Sequence, residues 1–200
     1  LHGRRFFMAG AAAAVVFPAI AATAMTRKGV HVPSGKLAAR MKNWSRDSAA
    51  SLRAALDKET PQIVKWYREI KGEKTYARSE LDLLFDINVT VNSTVHYRED
   101  WEHWHRRDYW EPVVTAILEG GDCEDYALCK AAALHLDGWP HESVRLLVGL
   151  HIAGRRKVPH AVLMAKTSTG RDYILDNLTN RIIPLENYES EFVPYYSLDE

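Results

Sequence analysis

The glycine pair Gly120-Gly121, followed at once by Asp122, constrains this chain more than any other feature. It separates a short apolar stretch, Glu111–Leu118, from a longer one running through Ala127, Leu128 and Ala131 to Leu136. Glycine ends helices, and an acid just before an apolar run is a good N-cap for the next one. The pattern therefore predicts two helices with a sharp break between them. The second opens at Asp122 and stops at Asp137-Gly138. Asp125 falls in its first turn, where the macrodipole favours an acid. Cys123 falls there too, among Gly121, Asp122, Glu124 and Asp125, which is poor company for a core residue.

A cysteine in a first helical turn is chemically distinctive. Unpaired amides and the positive end of the dipole stabilise a thiolate there. Asp122 and Glu124 work against that effect, so a histidinium, a cation or both must offset them. Cys129, followed by alanines, reads as core packing. Six positions along one helix place the two thiols on different turns and faces, so no disulfide is expected between them. Two cysteines also exclude a disulfide scaffold.

Three strand-like segments follow the helix: Val144–Ile152, His160–Thr167 and Asp172–Leu178, with Gly154 and Gly170 at the turns. If the last two form a hairpin with His160 opposite Asp176, its centre is Ser168, inside the turn-like run Lys166–Gly170. Opposed residues of an antiparallel pair share a face, with Cβ atoms ~5 Å apart. Asp176 would then orient the imidazole of His160, and His160 would pair with the Cys123 thiolate, the set that nucleophilic cysteine catalysis needs. Each residue alone has an ordinary structural explanation. The weight lies in three residue types in compatible places.

Upstream, Lys36–Asp57 and Pro61–Lys71 carry helical apolar spacing, Pro61 suiting a first turn. Glu80–Val95 reads as a helix running into a short extended stretch. Trp101–Trp110 reads as a loop with a helical turn. Its Trp101, Trp104, Tyr109 and Trp110 fit either the wall of a peptide cleft or packing around the nucleophile helix. His103 and His105 lack a second ligand pair at a standard spacing, so zinc is not expected. Glycine-rich phosphate loops and a GxSxG elbow are absent. Basic and acidic residues balance, 26 against 26, so nothing suggests nucleic acid.

The N-terminus reads as a targeting segment. Arg4-Arg5-Phe6-Phe7-Met8 precedes an alanine-rich apolar run that is too short to span a bilayer, and Ala22-Thr23-Ala24 offers a cleavage site. Residues 1–25 are expected to be a signal peptide cleaved near residue 24, with an uncleaved anchor as the alternative and Tat and Sec export both open. Residues 26–35 read as a linker and 36–200 as one domain, periplasmic after export.

The runs Gly121-Asp122-Cys123-Glu124-Asp125-Tyr126-Ala127, Pro159-His160-Ala161-Val162-Leu163 and Ile174-Leu175-Asp176-Asn177 resemble the bacterial transglutaminase-like cysteine proteinases, the family of LapG-type periplasmic proteases. Val91-Asn92, Tyr97, Asp100, Trp104 and Asp108-Tyr109-Trp110 are similar to that family's approach to the cysteine. The resemblance covers about Val89 to Ser197. It implies a Cys-His-Asp triad on Cys123, His160 and Asp176. It also implies a calcium ion beside the nucleophile, with Asp122 and Glu124 among its ligands and Asp125 as a further candidate. It implies a large surface adhesin as substrate, cleaved to control biofilm attachment, and an inner-membrane cyclic di-GMP receptor as partner. Trp104-His105-Arg106-Arg107 and Glu111-Pro112-Val113-Val114 depart from the family pattern at the expected cleft wall.

These readings give an α+β, papain-like or transglutaminase-like fold, with the nucleophile helix packed on an antiparallel sheet. The expected activity is a calcium-dependent cysteine endopeptidase. The oxyanion donors would be the Cys123 amide and an upstream side chain, Asn92 being one candidate. Two other readings use the same residues: a transglutaminase or amidase acting on glutamine, and a non-enzymatic calcium-dependent binding module.

Overall fold

The structure is a computed structural model that describes residues 36–72, 78–106 and 108–199. The expected signal peptide, its cleavage site and the linker lie outside them. Six helices come first: α1 (Lys36–Asp57), α2 (Pro61–Lys71), α3 (Glu80–Thr94), α4 (Asp100–Trp104), α5 (Val113–Glu119) and α6 (Cys123–Leu136). A sheet comes next, made of β1 (Val144–Ala153), β2 (Arg156–Lys166), β3 (Asp172–Leu175), β4 (Ile182–Pro184) and β5 (Phe192–Asp199), with α7 (Leu185–Tyr188) between the last two strands. The strand order is β4-β3-β2-β1-β5, and every neighbouring pair is antiparallel. This is the expected α+β architecture. No helix among the described residues is long and apolar enough to cross a membrane.

The nucleophile helix is the centre of the molecule. Residues Glu124 to Leu134 of α6 are all buried. A helix buried on every side must be apolar or small on every side. Ala127, Leu128, Ala131, Ala132, Ala133 and Leu134 meet that demand, whereas the buried Glu124, Asp125 and Lys130 do not. Helices α1, α3 and α5 and strand β2 pack around it. Leu52, Ile63, Ile87, Val113 and Leu163 join it in one core. Each such side chain contributes about 1.5–3 kcal/mol by leaving water. A smaller core of Leu147, Val162, Met164, Ile174, Tyr188 and Phe192 covers the other sheet face.

Helix α3 runs to Thr94, so of the extended stretch expected within Glu80–Val95 only Val95 is extended. The β-branched residues of α3 favour strands locally, but burial of Ile87 and Val91 against α6 outweighs propensity. A capping box of Ser79 and Asp82 fixes the start of the helix. One face of α3 also carries Asn88 and Asn92, one helical turn apart. The Asn88 side-chain amide donates to Thr179 O (2.9 Å), and that of Asn92 donates to Asp176 O (2.9 Å) and Thr179 O (2.9 Å). This helix therefore clamps the loop that leaves β3.

The β2–β3 hairpin departs from the expected register. Lys166 pairs with Asp172 and Leu163 with Leu175, which centres the turn on Thr169. The reason is local: the Thr167 amide donates to Arg171 O (2.8 Å) and the Gly170 amide to Thr167 O (2.9 Å). Val162, not His160, consequently lies across from Asp176, which sits one residue beyond β3. The shift is two residues, so both side chains keep the same face. Strand β5 and the β4–α7 segment lie beyond the strands that the sequence pattern predicts. Pro194 speaks against a strand, but β5 lies at the sheet edge, where proline is tolerated, and Pro194 pairs with Gly149 where the register shifts.

Candidate active site

Two backbone bonds fix the start of α6. The Gly121 amide donates to His96 O (3.0 Å), and the Arg98 amide donates to Gly121 O (2.9 Å). The position has no room for a side chain. A Cβ on Gly121 would sit 2.5 Å from Asp125 Oδ2 and 2.7 Å from Glu111 Oε1. Asp125 uses that space to fold back, accepting from the Asp122 amide (3.1 Å) and the Glu111 amide (3.0 Å). Burial first, then the charges of Asp122 and Glu111, push its carboxyl up to about 9, and those two amides pull the other way. Asp125 is thus the capping acid of the first turn.

His160 and Asp176 are both buried, and His160 Nε2 lies 2.8 Å from Asp176 Oδ1. The long imidazole spans the diagonal that the shifted register imposes. Burial alone would raise Asp176. The His160 hydrogen bond and charge, the Leu178 amide and the Tyr188 hydroxyl together bring it below the usual carboxylate range. An ionised carboxylate only accepts, so Nε2 is the donor in this hydrogen bond. Cys123 opens α6 on the wall of a cavity that His160 also lines. Burial raises its thiol, and the Ala161 amide acts to lower the value. Cys123 and His160 line one cavity of about 600 Å³, together with Tyr97, Tyr126, His151, Val158, Pro159, Asn177 and Leu178. A larger groove along α2, lined by Lys65, Arg68, Glu69 and Lys71 among others, holds none of the candidate residues.

The groups around Cys123 favour the thiol over the thiolate. Burial, then the charges of Glu124 and Asp122, push it well above the usual thiol range, and Cys123 Sγ donates to Glu124 Oε2 at 3.2 Å. The acids crowd one another. Asp122 is pushed up to about 9 by burial and then by Glu124, Glu124 is raised chiefly by burial, and Asp100 is raised to about 6 by burial. Ligand atoms of Asp122, Cys123 and Glu124 lie within 4.8 Å of one another, as do those of Asp100, Asp108 and Glu124 and those of Asp100, Asp122 and Asp125. Asp122 Oδ1 is buried without a partner. Converging carboxylate oxygens, one of them orphaned, match the donor set of a hard cation such as calcium. The residues present fit that ion.

Some expectations change. The Asn92 amide is committed to the loop after β3, and Asn92 does not line the cavity. Cys129 is fully buried in the core, as expected. Of the four aromatics, none lines the cavity: Trp110 packs in the main core, Trp104 and Tyr109 meet at a tilt of 57° with ring centres 5.1 Å apart, and Trp101 is exposed. Sequence reasoning missed Tyr188, whose hydroxyl reaches Asp176, because the short helix carrying it has too few residues to show a period. It also gave Asp100 and Asp108 no role in the acid cluster; only long-range folding brings them to Glu124.

A cysteine opening a buried helix, beside a His–Asp pair carried by an antiparallel sheet, brings together the three residue types that nucleophilic cysteine catalysis needs. Residues 56–199 match the family described as bacterial transglutaminase-like cysteine proteinase BTLCP, and the chain belongs to that family. The fold is similar to that of Legionella pneumophila LapG, at 24% identity and a TM-score of 0.57, over 76% of this chain and 83% of that one. The EGTA-treated form of that protein gives 24% identity and a TM-score of 0.57, over 76% of this chain and 81% of that one. Its calcium-bound form gives 24% and 0.57, over 76% and 83%. No curated protein matches the sequence significantly.

Proposed function

We propose that this chain is an exported endopeptidase that uses Cys123, His160 and Asp176 on protein substrates and depends on calcium. The observation that carries the reading is the buried His160–Asp176 hydrogen bond of 2.8 Å, beside a cavity that Cys123 shares. His160 Nδ1 takes the thiol proton. The Cys123 sulfur attacks the peptide carbonyl, the C–S bond forms, and the Cys123 amide at the helix start donates to the oxyanion. His160 returns the proton to the leaving amine as the C–N bond breaks. It then takes a proton from water, whose oxygen attacks the acyl carbon; the C–S bond breaks, and His160 returns that proton to the departing sulfur. Asp176 holds the imidazole in the productive tautomer throughout. Asp122 and Glu124 would hold calcium, with Asp100 and Asp108 alongside; bound there, the ion supplies the positive charge that offsets the acids around the thiol.

The substrate we propose is a large surface adhesin, cut in the periplasm to control attachment, with an inner-membrane cyclic di-GMP receptor as regulator. Family membership and the leader-like N-terminus support this reading. The test is terminal proteomics of surface proteins in a Cys123→Ala strain and its parent, with and without chelator. A neo-N-terminus present only in the parent, and lost with chelator, is the expected result. Identical N-termini in both strains would overturn the endopeptidase. Ammonia release from glutamine without cleavage would instead identify an amidase or transglutaminase.

A further inference from the structure

Asp176 is held by more than His160. Its Oδ1 accepts from His160 Nε2 (2.8 Å) and the Leu178 amide (3.0 Å). Its Oδ2 accepts from the Tyr188 hydroxyl at 2.7 Å, the length of a hydrogen bond to a charged oxygen. Tyr188 closes α7 and is 1% exposed. Its ring stacks on Phe192 at 5.5 Å, and Phe192 meets the His160 ring edge-on at 6.4 Å. Tyr188 therefore reaches the pair twice: its hydroxyl holds the carboxylate, and its ring, through Phe192, backs the imidazole. Gly149, opposite His160 on β1, makes room for this. A Cβ there would lie 2.8 Å from the tip of the Phe192 ring.

We infer that Tyr188 is a positioning residue whose hydroxyl pins the Asp176 carboxylate, which in turn fixes the His160 imidazole through its Nε2. The inference rests on the peptidase reading above. Without the hydroxyl, Oδ2 is a buried acceptor with no donor, which the fold does not tolerate cheaply. The carboxylate must turn or take up a proton, and either change loosens the Nε2–H bond. A tyrosine that merely filled the smaller core would be replaced by phenylalanine without effect on His160.

The test uses the full chain in calcium-containing buffer and two readouts that need no substrate. One is the rate at which iodoacetamide alkylates Cys123, followed by peptide mass spectrometry with buried Cys129 as internal control. The other is the 15N spectrum of His160, which reports the tautomer. In the native chain Cys123 should react far faster than Cys129, and His160→Ala should slow Cys123 well below its native rate. Tyr188→Phe should slow Cys123 about tenfold, the order expected for a lost hydrogen bond to a charged group, and should mix the His160 tautomers. A folded Tyr188→Phe with native rate and native tautomer overturns the inference alone. An unreactive Cys123 in the native chain overturns the peptidase reading and this inference with it. If Tyr188→Phe does not fold, 3-fluorotyrosine at position 188 keeps the shape and strengthens the donor. A changed Cys123 rate then supports the role, and an unchanged one overturns it.

Discussion

The Cys123 thiol donates to Glu124 Oε2 at 3.2 Å, so the nucleophile's proton is held by the acid next to it in sequence. Burial, Glu124 and Asp122 all favour the neutral thiol. A cation held by the two acids would turn both carboxylates toward itself and reverse the local charge. Calcium should therefore do two things to the native protein. At a hundredfold excess over its dissociation constant it should raise Tm by roughly 5–10 °C, as mass action requires for a chain of this size. It should also speed Cys123 alkylation at least about tenfold, the effect of ~1.4 kcal/mol on the thiol. Asp122→Asn and Glu124→Gln should lose the calcium response in both measurements. Thermal melts and alkylation rates with calcium and with chelator decide it; a full response in both variants would remove these residues from the ion's site.

Asp176 gives a prediction at acid pH. Burial raises it, but His160, the Leu178 amide and the Tyr188 hydroxyl leave it below the usual range in the folded state. Its folded value lies under its unfolded one, so the unfolded chain binds the proton first as pH falls. The stability it contributes is complete above about pH 4 and is lost as pH drops through the folded value. Urea titrations should show the native chain losing stability below about pH 4, with a shallower loss in Asp176→Asn. The same variant should lower peptidase turnover on the order of 10²–10⁴-fold, since an asparagine no longer enforces the tautomer. A variant with native turnover would place Asp176 outside the chemistry.

How legible was this in the sequence? Helix α6 was readable because glycine, cap, cysteine and first-turn acid are local signals, and local signals do not need the rest of the fold. His160 and Asp176 were readable as residue types on adjacent strands. Their register was not, because the Thr167–Arg171 hydrogen bond that sets it depends on how the turn closes. The face survived the error because it amounted to two residues. Asn92 shows the limit on side-chain roles: its place near the cysteine suggested an oxyanion donor, while long-range contacts commit its amide to Asp176 O and Thr179 O. Phe192 reaches the site through the pairing of β5 with β1, and Tyr188 through the packing of α7 on β3 and β4, neither of which a local pattern announces.

Gly121 should resist even the smallest substitution. A methyl group there meets Asp125 Oδ2 at 2.5 Å, Asp125 Cβ at 2.7 Å and Glu111 Oε1 at 2.7 Å. Asp125 would have to leave the Asp122 and Glu111 amides it now satisfies. Overpacking of this kind costs about 1–3 kcal/mol. Gly121→Ala should therefore lower Tm by several degrees, roughly 2–4 °C per kcal/mol. Alkylation of Cys123 should change as well, because the helix start moves. Calorimetry on the two proteins checks the first effect; an unchanged Tm would show that Asp125 is free to shift.

Lys130 is a charge whose burial costs the fold stability. It lies two turns along α6 from Cys123 and is 1% exposed, with its ammonium 6.0 Å from the centre of the Tyr126 ring. Burial pulls its value down to about 7, while the Asp176 and Cys129 charges act in the opposite sense. The unfolded chain holds this proton up to about pH 10.4 and the folded one only up to about pH 7. Between those limits the unfolded state carries more protons, so stability rises with pH across the window and the penalty is complete below it. Lys130→Met keeps the length of the side chain and removes the charge. It should stabilise the protein by a few kcal/mol near pH 7, on the order of the linkage term, and should flatten the rise between about pH 7 and 10. Urea unfolding across that range tests it. A variant that is less stable than the native chain at pH 7 would mean that the ammonium is held by partners strong enough to offset its burial.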